Sequence, residues 1–195
     1  MKRRLKIKIG FLSVILFSVL AITRPLYFPA FSISVLIHEL GHLIAARICG
    51  IPMRELRLGI FGAGLTPAKL LISYKKEIVL CLGGPLANFM SVFFLFTVFG
   101  ENSNLLQGFI ASSLSLGILN MLPIYSFDGG RICSAILSML ISPKAARAIM
   151  NVISFVLIFT LWALSVYLLL RVSSSLSLFI FSAYLFAKFF VSSPE

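Results

Sequence analysis

Long apolar runs separated by short basic gaps constrain this chain more than any other feature. The runs fall near residues 9–24, 27–48, 78–99, 104–123, 148–170 and 174–192. At a helical rise of about 1.5 Å per residue, about 20 residues cross the hydrocarbon of a bilayer. The first run is shorter, and spans only if flanking lysines extend toward the headgroups. In lipid no water satisfies the backbone, so each run must close its own hydrogen bonds as a helix. The expected fold is an all-α polytopic membrane protein with about six transmembrane helices.

Composition agrees. Hydrophobic residues make up 59% of the chain and charged residues 12%, with a mean hydropathy of +1.06. A soluble domain holds roughly 25% charged residues and needs them to coat its surface. The net charge of +11 would suit a nucleic-acid partner only if it lay along one face. Instead the basic residues sit in the gaps, where they act as topology signals and meet anionic headgroups. No nucleic-acid partner is expected.

Lys2, Arg3, Arg4, Lys6 and Lys8 precede the first run, and Arg54, Arg57, Lys69, Lys75 and Lys76 follow the second. Arg131, Lys144 and Arg147 follow the fourth, while the alternate gaps hold only Arg24 and Arg171. The positive-inside rule then puts both termini and both basic segments in the cytoplasm of a multi-pass cell-membrane protein. The opening "MKRRLKIKIGFLSVILFSVLAIT" has the order of a secretory signal but is followed by no convincing cleavage site, so a retained signal anchor is expected. Chain 1–195 reads as one membrane-embedded domain, with a catalytic core over about residues 27–141 and C-terminal helices over 148–192.

Between the second and third runs, "MRELRLGIFGAGLTPAKL" alternates loosely between polar and apolar, and glycines at 59, 62 and 64 punctuate it. This predicts a short hairpin over residues 51–66 at the cytoplasmic interface, with an irregular amphipathic loop as the alternative. Cys49, Cys81 and Cys133 show no CxxC spacing and read as small buried hydrophobes instead of a disulfide framework.

Within the second run stands "HELGH". On a helix His38 and His42 lie one turn apart at i and i+4, so both imidazoles leave one face and can grip one ion. Glu39 beside them completes the HExxH zinc pattern, in which the Glu is general base toward water on the metal. These are the only two histidines in the chain. They lie about ten residues, and so roughly 15 Å, from the cytoplasmic end of the span, in the cytoplasmic half of the bilayer. Ionisable groups at such depth are costly and mark function.

A catalytic zinc takes three protein ligands and keeps one position for water. Asp128, the sole aspartate, lies in "FDGGR" after a proline-interrupted span, where a flexible Gly-Gly turn would let its carboxylate approach a metal. It is the candidate third ligand, against a turn-forming or interfacial role. Glu55 and Glu77 lie in basic segments, Glu101 on the opposite surface and Glu195 at the terminus; spacing does not favour Cys49 or Cys133 as ligands.

With "HELGH" in an early span, "GGPLAN" at 83–88 and "NMLPIYSFDGG" at 120–130, the chain resembles the site-2-type intramembrane metalloproteases over about residues 30–135. With no PDZ insertion and a compact layout, it is most similar to the stage IV sporulation group, which cleaves a membrane-associated sigma-factor precursor. It departs from that group in ending without a nucleotide-sensing CBS domain, so regulation by ATP is not carried over. The resemblance implies zinc on His38, His42 and Asp128, proton transfer by Glu39, and Asn88 and Asn120 as polar groups near the substrate strand. Each Asn has a structural alternative, an interhelical hydrogen bond or a cap where Pro85 or Pro123 breaks the helix.

The function expected is hydrolysis of a peptide bond in or near the membrane segment of a regulatory protein, such as a sigma-factor precursor or anti-sigma factor. Membrane regulatory proteins are candidate partners. The alternatives are a membrane metallopeptidase with a Glu third ligand, and a non-catalytic zinc-binding transporter or scaffold.

Overall fold

The computed structural model describes residues 6–9, 27–59, 62–67, 72–99, 104–171 and 176–192. The contacts gather into two units, residues 1–121 and 122–195, each described by itself.

In the first unit, α1 (Phe28–Ile48), α2 (Tyr74–Phe99) and α3 (Asn104–Met121) pack on one another pairwise. The sides they hide are unlike a soluble core. Along α1 the buried positions include Ala30, Ser34, His38, Glu39, Gly41, His42, Ala45 and Ala46, whereas Leu36, Leu40, Ile44 and Ile48 face outward at four-residue spacing. Lipid is as apolar as leucine, so large side chains gain nothing by turning inward, and small residues bring helices close enough for dispersion and hydrogen bonding. The α1–α2 contact runs backbone to backbone: a Cβ on Gly83 would lie 2.6 Å from the Gly41 carbonyl oxygen, and one on Gly41 would strike that of Gly83. Toward α3, the Ser113 hydroxyl donates to Ser34 Oγ at 2.8 Å, and Ser34 donates to Ala30 O at 2.8 Å.

Helix α1 ends as Gly50 turns left-handed at φ 63° and Ile51 N–H reaches back to Ala46 O at 2.8 Å. Only glycine takes that turn without strain. The Lys76 ammonium donates to Cys49 O at 2.8 Å, capping the same end. The chain then forms the expected hairpin, as β2 (Met53–Gly59) and antiparallel β3 (Gly62–Pro67), with Gly59 paired to Gly62. β1 (Lys6–Ile9) adds to β2 in parallel, Lys6 opposite Glu55 and Ile9 opposite Leu58. The order β1-β2-β3 makes β2 central and leaves β3 at an edge, beside α1.

In the second unit, α4 (Asp128–Leu140), α5 (Pro143–Arg171) and α6 (Leu176–Ser192) follow one another, α5 packing on both neighbours. Ile124, Phe127, Ile158 and Leu185 form its core. Ser165 and Ser182 hydroxyls, both fully buried, share a hydrogen bond of 2.8 Å between α5 and α6.

The structure is a helical membrane fold with a short hairpin between α1 and α2. Among the described residues, Phe28–Ile48, Tyr74–Val98 and Pro143–Arg171 are long and apolar enough to cross a membrane. The expected span over 9–24 lies outside the described residues, apart from Ile9 in β1. Three local features differ from expectation. Residues 6–9 form a strand; Lys-Ile-Lys-Ile alternates with the strand period, a signal that the positive charges overshadow. The Gly-Gly segment is the first turn of α4 instead of a flexible turn. Helix α5 begins at Pro143, ahead of the apolar run, because Ser142 Oγ accepts from Ala145 N–H at 3.3 Å and proline suits a first helical position.

Candidate metal centre

His38 and His42 both lie on the buried side of α1, 4% and 6% exposed. Their Nε2 atoms are 3.1 Å apart, with ring planes at 84°. Two nitrogens on one tetrahedral zinc, each at about 2.0–2.1 Å, would be separated by about 3.3 Å. The pair is therefore spaced as two corners of such a site before any further ligand is considered.

The imidazoles are set by α2. His42 Nδ1 lies 2.7 Å from Leu80 O, a geometry in which Nδ1–H donates and Nε2 keeps its lone pair for a metal. A helical carbonyl can accept this second bond through its other lone pair. Pro85, inside α2, has no amide to offer the carbonyl four residues back and loosens the helix on this stretch. The Asn88 carboxamide, completely buried, lies 3.3 Å from His38 Nδ1. Gly84 faces both rings: a Cβ there would strike His42 Nε2 and lie 2.7 Å from His38 Nε2. Its missing side chain leaves room for an ion beside the two nitrogens. Spacing, orientation and room all fit zinc.

Glu39 is 4% exposed on the same helix, one residue from His38.

Asp128 opens α4, also buried at 8%. The loop before it is tightly wound: Phe127 N–H donates to Ile124 O at 2.8 Å, and Arg131 N–H to Phe127 O at 3.2 Å. A Cβ on Gly130 would collide with Ile124 O, so the second glycine of "DGG" lets the loop fold over the helix start. Ser154 Oγ anchors the loop further by accepting from Tyr125 N–H at 2.9 Å.

Asn120 is half-buried near the end of α3 and donates to Leu116 O of its own helix at 3.0 Å. Cys81 is buried and Cys49 and Cys133 are half-buried, and none of the three is in a disulfide among the described residues. Glu77 is half-buried in the first turn of α2; the side chains of Glu55, Glu101 and Glu195 lie outside the described residues. Leu80 and Gly84, two contributors to the imidazole setting, carry no chemical signal of their own. Only the "GGPLAN" segment around Gly84 pointed toward this region.

A sequence profile of peptidase family M50 matches residues 27–104 and 100–164. The chain belongs to peptidase family M50. It is 35% identical over 112 residues to a zinc metalloprotease of Methanocaldococcus jannaschii, an alignment covering 54% of this chain and 32% of that protein. The match thus spans about a third of that relative's own length. The structure is also similar to a site-2 protease from Methanocaldococcus jannaschii, with a TM-score of 0.70 at 24% identity over 98% of this chain and 92% of the other. That likeness concerns the fold.

Proposed function

We propose that this M50 member is a zinc-dependent endopeptidase that hydrolyses a peptide bond in or near the membrane segment of a membrane-associated regulatory protein. The observation that carries the reading is the imidazole pair of His38 and His42, 3.1 Å apart, buried on a helix whose opposite face is apolar and lipid-suited, with Glu39 between them.

His38 and His42 supply two ligands, and Asp128, the sole aspartate and a buried one, the third. Asp128 lies in the first turn of α4, the end of a helix where the backbone dipole attracts negative charge. Zinc held there would supply Lewis-acid polarisation of a carbonyl and of a water. Glu39 would take a proton from the attacking water and deliver it to the leaving amine. Asn120, with one amide proton held by Leu116 O, offers its carboxamide oxygen to a substrate strand; Asn88, also expected near the substrate, has a nearer target in His38.

A substrate helix hides its amides, so it must be extended where it is cut. The outer edge of β3, beside α1, suits pairing with such a strand. The motif triple and basic gaps support cytoplasmic termini, a site in the cytoplasmic half of the bilayer, a core over about residues 27–141, and a substrate like that of the sporulation group, a sigma-factor precursor.

The test is co-expression of wild-type or Glu39→Gln protein with membrane-tethered regulators, scored for a released cytosolic fragment. Release by the wild type alone is expected. Equal release from both removes the protease reading.

A further inference from the structure

Asn88 is completely buried, and its Oδ1 has no hydrogen-bond partner among the described residues. The other end of the same carboxamide lies 3.3 Å from His38 Nδ1. A half-turn exchanges Oδ1 and Nδ2 without changing the group's shape, so the hydrogen-bond network alone decides which end faces the ring.

The imidazole pair decides it. With the two Nε2 atoms 3.1 Å apart, a metal between them needs a lone pair on each. A neutral imidazole with a free Nε2 carries its proton on Nδ1. For His42 that proton goes to Leu80 O, 2.7 Å away. For His38 the buried partner at Nδ1 is Asn88, and an amide N–H there would force the ring into the tautomer that blocks the metal. Only Oδ1 is compatible.

Resting on the zinc reading above, we infer that Asn88 is a positioning residue for the metal: its carboxamide oxygen accepts from His38 Nδ1–H and holds His38 in the tautomer whose Nε2 can ligate. This assigns Asn88 a partner 50 residues away in the chain, on α1. With Nδ2 toward the ring, Oδ1 is left without a protein partner among the described residues, and metal binding selects the oxygen-facing orientation. Apart from zinc, the site would tolerate the opposite arrangement, with His38 and His42 sharing a proton between their Nε2 atoms. The oxygen-facing orientation is thus coupled to metal occupancy, and the residue's contribution is read in metal affinity.

The test uses the full chain in detergent, carrying a tag without histidine. Because the chain has two histidines, selective ¹⁵N-histidine labelling reports these two rings alone. In the zinc-bound wild type both rings should carry a proton on Nδ1. Asn88→Leu, with no acceptor, should weaken zinc by about 10- to 100-fold, the scale for lost support of a metal-bound histidine, and His38 should lose its hydrogen-bonded Nδ1–H signal while His42 keeps its own. Asn88→Asp, which can only accept, should restore the signal and hold affinity within about threefold of wild type, as carboxylate–histidine–zinc arrangements do. A purely structural asparagine gives neither the ring-selective change nor the rescue. The inference is overturned if Asn88→Leu binds zinc like the wild type, or if Asn88→Asp loses as much as Asn88→Leu. Failure of the wild type itself to take up zinc would instead sink the zinc reading, and the inference with it.

Discussion

Gly84 of α2 stands against His38 of α1 so closely that a methyl group on its Cα would lie 2.7 Å from the Nε2 of that histidine, and it would collide with His42 as well. Gly83 next to it meets backbone, the carbonyl of Gly41. Two adjacent glycines thus serve different ends.

Gly84→Ala should therefore lower zinc affinity by about 10- to 100-fold, the range for disturbing the support of a metal site, with helical content unchanged. Gly83→Ala should instead separate α1 from α2 and cost about 1–3 kcal/mol of stability through overpacking. Zinc titration and thermal unfolding of both variants in detergent check this. Similar effects of the two substitutions would contradict the division.

The Ser34–Ser113 hydrogen bond joins α1 to α3 within a fully buried contact. Hydrogen bonds between membrane helices average about 0.6 kcal/mol. Ser34→Ala, Ser113→Ala and the double variant should form a cycle with a coupling near that value in denaturant unfolding. A coupling near zero would mean that the hydroxyls are satisfied independently.

Strand addition makes a positional prediction. Proline removes one backbone donor, and successive residues of a strand at the edge of a sheet direct their amides alternately toward and away from the neighbour. Proline placed singly at Ala63, Gly64, Leu65 and Thr66 of β3 should impair cleavage of a membrane substrate at one alternating pair of positions without weakening the sheet. Cleavage untouched at all four would rule out pairing along β3.

The imidazole pair was legible because i and i+4 on a helix is a local relation, and the hairpin because glycines at 59 and 62 mark its turn. Relations across the chain were not. Nothing local shows that Asn88 meets His38, that Leu80 presents its carbonyl to His42, or that Gly84 is small for the sake of two rings. β1 was obscured because Lys6 and Lys8 read as positive-inside charges while Lys-Ile-Lys-Ile also alternates with the strand period. Helix α4 was hidden because two glycines disfavour a helix by propensity, whereas the close passage of Ile124 over Gly130 requires one there. In lipid the burial pattern also inverts, so apolar periodicity marks the outside of α1 instead of its core.

The central claim is that His38, His42 and Asp128 hold one zinc with a position left for water. X-ray absorption at the zinc edge, on the purified chain bearing a tag without histidine, tests it most directly. The account predicts one zinc per chain, two imidazole nitrogens at about 2.0–2.1 Å, oxygen ligands at about 2.0–2.2 Å, no sulfur at about 2.3 Å, and loss of the metal in Asp128→Ala. Sulfur in the first shell, or an unchanged zinc environment in Asp128→Ala, would contradict it.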